Sequence, residues 1–182
     1  RAKDNRREVI IPSSMFIDKS TGSHVPIRSI VWSNDNDKVL VYTNTRRVWR
    51  YDTRGDYWVL DLNDGTFRQL GKGLPESSLM FAKFSPDGNN VAYVSQNNIY
   101  VENLPTGNIK RITDDGSDTI VNGTFDWVYE EEFGCRDGFR WSPDSKYIAY
   151  WQSDTEGTGT FDIINNVDSI YPTIMHFPYP KA

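Results

Sequence analysis

Phe84-Ser85-Pro86-Asp87-Gly88, followed by Val91-Ala92-Tyr93-Val94, recurs as Trp141-Ser142-Pro143-Asp144-Ser145 followed by Ile148-Ala149-Tyr150-Trp151. A degenerate copy, Trp32-Ser33-Asn34-Asp35, leads into Val39-Leu40-Val41-Tyr42. Units that repeat bury their faces against their neighbours, which restricts the fold more than composition does. Each copy has the same grammar: an aromatic strand end, a tight turn, then a buried β-branched strand. Proline presets φ at the second position of such a turn, and glycine or asparagine supplies the positive φ needed later in it. Trp32, Phe84 and Trp141 stand 52 and 57 residues apart. Common propeller blades repeat at roughly 40–50 residues, so inserted loops are expected.

The repeats continue alike. Tyr57-Trp58-Val59-Leu60-Asp61 and Asn98-Ile99-Tyr100-Val101-Glu102 read as third strands. Turns at Asp64-Gly65 and Thr106-Gly107 then lead into fourth strands, and such turns between alternating runs are strong hairpin signals. No convincing helical stripe occurs. The expected fold is all-β: a β-propeller, with about three blades of a larger ring, because a closed ring needs at least about four. An open arc leaves blade faces wet, so the chain reads as an incomplete portion of a longer propeller. A β-sandwich with coincidental turns is the weaker alternative. Residues 1–28 form a leading segment without a match, and residues 29–182 form the partial propeller.

Composition narrows the partners. A formal charge of −5 argues against nucleic-acid binding, which normally shows a basic excess. One cysteine, Cys135, leaves no intrachain disulfide and is expected to be an inert thiol. No apolar run approaches the roughly 18 residues needed to span a bilayer. Residues 1–7 carry neither a signal-peptide apolar stretch nor an initiator methionine, and read as the start of a trimmed or internal piece.

The sharpest chemical feature is Asp126-Trp127-Val128-Tyr129-Glu130-Glu131-Glu132-Phe133. On a strand, Glu130 and Glu132 share one face and Glu131 takes the other; on a helix the three fan out over about 200 degrees. Either way the like charges repel unless a cation or hydrogen-bond donors answer them. A peptide's amino terminus is a cation of the right size.

These residues, with Gly138-Phe-Arg-Trp-Ser-Pro-Asp144 and Ile148-Ala-Tyr-Trp-Gln152, resemble the amino-terminal propeller of the dipeptidyl peptidase IV family of serine exopeptidases. Trp49-Arg50-Tyr51 is similar to the family's strand carrying a substrate-contacting arginine, and Tyr179-Pro180-Lys181-Ala182 to the stretch leading into its next blade. The resemblance covers about residues 29 to 182. It implies a propeller capping an α/β-hydrolase domain, absent from this chain, that holds a Ser-Asp-His triad and releases X-Pro or X-Ala dipeptides. Carried over by residue, Glu131 and Glu132 bind the substrate's free α-amino group, Arg50 contacts its carbonyl and helps hold the glutamates, and Glu130 is framework. After the triplet, Phe133-Gly-Cys-Arg-Asp-Gly138 departs from the aromatic-rich stretch of some members, which leaves the contacts of residues 134–138 open. The resemblance also implies homodimers and a periplasmic, secreted or membrane-anchored extracytoplasmic location.

No Gly-x-Ser-x-Gly elbow occurs, and His24 and His176 stand without an Asp or Ser in a relay pattern, so no catalytic residue is expected in this chain. It is expected to be inactive alone, with no cofactor and no metal. Asn34-Asp35-Asn36-Asp37 lacks the glycine and distal glutamate of a calcium loop and reads as a hairpin turn. Asn122-Gly123-Thr124 is a glycosylation sequon of little weight. Arg46 and Arg54 read as a solvated strand edge. The rival reading is a non-catalytic propeller serving as a protein-binding scaffold. A periplasmic transport-accessory propeller shares the turns but gives no reason for the triplet.

Overall fold

A computed structural model describes residues 7–48 and 50–179. The chain divides between Leu79 and Met80 into two compact units. In the first, two short strands, β1 (Ile17–Asp18) and β2 (Ser23–His24), precede a four-stranded antiparallel meander. Its strands are β3 (Ser29–Trp32), β4 (Lys38–Val48), β5 (Tyr51–Asp61) and β6 (Phe67–Gln69), paired in that order. In the second unit β7 (Met80–Phe84), β8 (Asn90–Ser95), β9 (Asn98–Asn103) and β10 (Ile109–Arg111) form an equivalent meander. There follow β11 (Ile120–Asn122), a helix α1 (Trp127–Phe133), β12 (Phe139–Trp141), β13 (Ile148–Tyr150), β14 (Gln152–Asp154), β15 (Thr160–Asn165) and β16 (Thr173–Pro178). β11 pairs with β14, β12 with β13 and β15 with β16.

These are propeller blades, and the three repeated turns carry one hydrogen-bond pattern. Ser33, Ser85 and Ser142 donate from Oγ to Asp35, Asp87 and Asp144 at 2.5, 2.5 and 2.6 Å. Each serine Oγ also accepts the backbone N–H that opens the next strand, at 2.9 Å from Lys38, Asn90 and Tyr147. The residue four places into each turn has positive φ: Asn36 at 61°, Gly88 at 70° and Ser145 at 61°. The degenerate first copy therefore folds like the others without its proline. The aspartates gain most: the serine hydroxyl lowers each carboxyl below its ordinary range.

Each meander has an apolar core. Val39, Val41, Trp58, Leu60 and Phe67 bury one face of the first sheet, and Phe16 of the leading segment completes it, with Ile11, Met15 and Val25 packed alongside. In the second unit Met80, Ala92, Val94 and Ile99 are joined by Phe139, which comes from β12. A strand of the next repeat thus covers the preceding blade, as blade-on-blade burial requires.

Where the repeat spacing exceeds a simple blade, the structure inserts something. β4 and β5 extend 11 residues each, and their outer parts project beyond the short β3 and β6 as an arm. Between β11 and β12 the chain inserts a loop carrying α1. Among the described residues no helix is long and apolar enough to cross a membrane.

Candidate substrate-binding site

The triplet is helical. Asp126 caps α1 by accepting the Tyr129 N–H at 3.0 Å, and Gly134, at φ 65°, closes the other end with its N–H on the Glu130 carbonyl at 3.1 Å. Seven residues are too few to print an apolar stripe, but an Asp before and a Gly after are the start and stop signs of a helix. Of the two readings the sequence left open, the fan applies. Glu130 is 9% exposed, Glu131 is half-buried and Glu132 is exposed.

Glu130 falls in the first turn, whereas Glu131 and Glu132 lie toward the helix C-terminus, whose carbonyls are themselves partly negative, and the last turn holds no basic residue. Repulsion and dipole therefore point the same way, toward a cation. The helix is pinned from beneath: Trp127 packs on Phe177 at 5.1 Å and on Tyr179 at 5.8 Å, ring to ring. Pro180, Lys181 and Ala182 lie outside the described residues.

Glu130, framework by the family resemblance, has unusual surroundings. Its Oε1 has no hydrogen-bond partner among the described residues. Burial pushes its carboxyl above the ordinary range; Arg136 opposes this and Glu131 adds to it. The native state thus holds this proton more tightly than the unfolded chain does, so the group reduces stability as the pH rises through and beyond the carboxylate range. Glu130→Gln is expected to raise the thermal midpoint at neutral pH. The gain should vanish below about pH 4, where the unfolded glutamate is protonated too. A melt series showing no gain at pH 7, or an undiminished gain in acid, contradicts this assignment.

Arg50 belongs to the first unit. It is exposed and sits in the turn that joins β4 to β5, where Val48 pairs with Tyr51, so it is a hairpin-tip residue rather than a strand residue. Trp49 lies outside the described residues. The arm that carries it is fixed at its root. Asn44, at φ 43° where the pairing slips, donates to Asp56 and to Glu76, both at 2.8 Å. Asp56, buried, also accepts the Ser77 N–H at 2.8 Å. Tyr42 donates to the carbonyls of Asp52 and Arg54 at 2.8 Å and lies over Gly55, where an added Cβ would stand 2.5 Å from its ring. Burial, with Asp52 nearby, raises the Tyr42 hydroxyl to about 12. Arg46 and Arg54 face each other across the arm, both exposed.

Glu131 and Glu132 are thus brought together on one short helix of the second unit, and Arg50 stands on the arm of the first. His176 does have an acidic partner: the β15–β16 register sets it opposite Asp162, with Nδ1 2.6 Å from Oδ1. That corrects the expectation of an isolated histidine, yet both side chains are more than half exposed, as suits a surface cross-strand pair. Asn122 of the sequon is fully buried, its amide engaged with Asn97, Asp115 and Gln152. It is a structural residue. The segment after the triplet contains Asp137, whose partners, Lys83 and Arg140, no local sequence signal announces.

Comparison with known proteins places this architecture. The family described as the dipeptidyl peptidase IV N-terminal region matches residues 33–182. Dipeptidyl aminopeptidase B of Saccharomyces cerevisiae is 34% identical over 98% of the chain and 22% of its own length. A probable dipeptidyl-aminopeptidase B of Chaetomium globosum is 33% identical over 82% of the chain and 18% of its own length. The crystal structure of Porphyromonas gingivalis dipeptidyl peptidase 4 superposes with a TM-score of 0.77 at 30% identity, covering 86% of this chain and 22% of that one. The chain belongs to the dipeptidyl peptidase IV N-terminal family. It spans about a fifth of the length of these relatives.

Proposed function

We propose that the chain is the substrate-recognition and access propeller of a serine-type dipeptidyl peptidase that removes X-Pro or X-Ala dipeptides from peptide amino termini. Glu131 and Glu132 bind the substrate's α-ammonium group, and Arg50 contacts a substrate carbonyl and helps hold the glutamates. The triad belongs to an α/β-hydrolase domain elsewhere in the same protein, which acts outside the cytoplasm. The observation that carries this reading is the capped helix α1: it sets Glu131 and Glu132 side by side at the negative end of a helix dipole with no basic residue in its last turn.

An α-amino group has a pKa near 8 and is mostly protonated at neutral pH. Two carboxylates accept its protons as charge-assisted bonds, stronger than neutral ones. Anchoring the terminus makes a ruler, since only the bond two residues along reaches the nucleophile. Internal peptide segments carry no such charge and leave the glutamates without a cation, so they are rejected.

The test uses the full-length parent with Gly-Pro and Ala-Pro chromogenic substrates. Glu131→Ala removes a hydrogen bond to a charged group, about 1.5–3 kcal/mol, and is expected to lower kcat/KM roughly 10- to 150-fold. Wild-type kcat/KM in that variant overturns the clamp.

A further inference from the structure

The loop that presents the triplet stands on two feet. Thr124 and Asp137 pair across its base as an isolated antiparallel bridge, the Thr124 hydroxyl donates to the Arg136 carbonyl at 3.0 Å, and the Gly138 N–H reaches the Gly123 carbonyl at 3.1 Å. One foot is held ionically. Lys83 Nζ lies 2.5 Å from Asp137 Oδ1, donates to the Phe81 carbonyl at 3.1 Å and sits 3.6 Å above the centre of the Phe139 ring. Arg140 closes the group at 3.0 Å from the same carboxylate oxygen.

The strand that supplies Lys83 is distorted for the purpose. Pairing of β7 with β8 slips between Met80 and Lys83, and Phe81 at the slip has φ 55°. A bulky residue in the left-handed region is strained by about 1–3 kcal/mol and persists only where surrounding contacts over-determine it. Bulges concentrate where a side chain has to be re-aimed. Here the bulge brings the Phe81 carbonyl and the Lys83 ammonium to the foot of the loop.

We infer that Lys83 and Asp137 are positioning residues for the triplet: their ion pair, tied to the Phe81 bulge and shared with Arg140, fixes the foot of the loop that aims Glu131 and Glu132. This rests on the clamp reading of those glutamates. Neither residue touches substrate. Their effect travels four residues of backbone, from Asp137 to the end of α1 at Phe133, and through Arg136, whose charge acts on Glu130.

The brace has a built-in limit of pH. Burial lowers the Lys83 ammonium to about 8, against the favourable pull of Asp137, with Arg140 lowering it further; among the described residues these two are the charged groups that act on it. The ion pair is intact below about pH 8 and lost above it. The sign for global stability is the opposite. Between about 8 and the ordinary lysine value the unfolded chain binds the proton that the native state gives up, so this group adds stability as the pH rises there. Loss of aim above pH 8 is therefore local and separable from unfolding.

The experiment measures KM of the full-length protein with a free-amine Gly-Pro substrate across pH 6.5 to 9.5, for wild type, Lys83→Met and Glu131→Ala. Dividing the KM of Lys83→Met by that of wild type at each pH cancels the substrate's own ionisation. The ratio is expected to be on the order of tenfold at pH 7, since small misplacement of a binding group is expensive, and to fall toward one by about pH 9.5, with kcat little changed. A ratio of one at every pH, or a raised ratio that stays flat, overturns the brace; the flat case makes Lys83 merely structural. If Glu131→Ala keeps the wild-type KM, the clamp itself fails, which is a different result. Should Lys83→Met not fold, as judged by its thermal melt, Asp137→Asn removes the same charge pair at constant shape and answers in its place.

Discussion

Acetylating the amino terminus of a Gly-Pro substrate is expected to lower kcat/KM of the full-length protein by about 10²–10⁴-fold, and to matter little to a Glu131→Ala/Glu132→Ala double variant. Two hydrogen bonds from an ammonium to carboxylates are worth roughly 1.5–3 kcal/mol each, and each 1.4 kcal/mol is a factor of ten. An acetyl group removes the charge and leaves two carboxylates desolvated against a neutral amide. The wild type thus loses the bonds and bears the desolvation. The double variant has already lost both, so acetylation takes little more from it. The comparison separates charge from bulk. If the double variant suffers the same loss, the acetyl group is blocked sterically and the carboxylates are not the anchor. If the wild type cleaves the acetylated substrate freely, no terminus is being read.

What the sequence discloses depends on the distance over which each interaction is written. The Ser-x-Asp turns are complete within five residues, and their three copies agree to a few tenths of an ångström between Ser33–Asp35, Ser85–Asp87 and Ser142–Asp144. The Asp64-Gly65 and Thr106-Gly107 hairpins are equally local: Gly65 and Gly107 take φ of 71° and 72° and return their N–H groups to Asp61 and Asn103. Helix α1 stood at the edge of legibility. Asp126 and Gly134 announce it, but seven residues give no period to read.

The brace is a different case. Lys83 and Asp137 are 54 residues apart, and nothing in Phe-Ala-Lys-Phe marks a bulge, because φ at Phe81 is imposed by the sheet and the loop together. Asp162 and His176 became partners only once the β15–β16 register was known. Yet the excess of the repeat spacing over a blade was a true signal. The surplus residues form the β4–β5 arm and the α1 loop, the two places where Arg50 and the glutamates sit. Insertions on a rigid repeat are where binding residues accumulate, because loops vary freely while the sheets hold position.

Phe139 joins the two levels, and its removal is expected to have the largest effect on stability. It is 1% exposed, belongs to β12, and completes the cluster of Met80, Ala92, Val94 and Ile99 in the preceding sheet. Phe139→Ala should therefore lower the opening free energy of the β8 and β9 amides by about 3–5 kcal/mol, read by native-state hydrogen exchange on the full-length protein. Part of that loss belongs to the brace, since the ring lies 3.6 Å beneath the Lys83 ammonium. Phe139→Leu keeps most of the apolar volume but offers no π face. Compared in the Lys83 and Lys83→Met backgrounds, it should yield a coupling of about 0.5–2 kcal/mol. A Phe139→Ala change under about 1 kcal/mol means that the blade does not depend on its neighbour's strand. A zero coupling leaves the core role intact and removes the ring from the brace. The expected pair of results makes one side chain both the seal between adjacent blades and the floor on which the loop of the three glutamates is held.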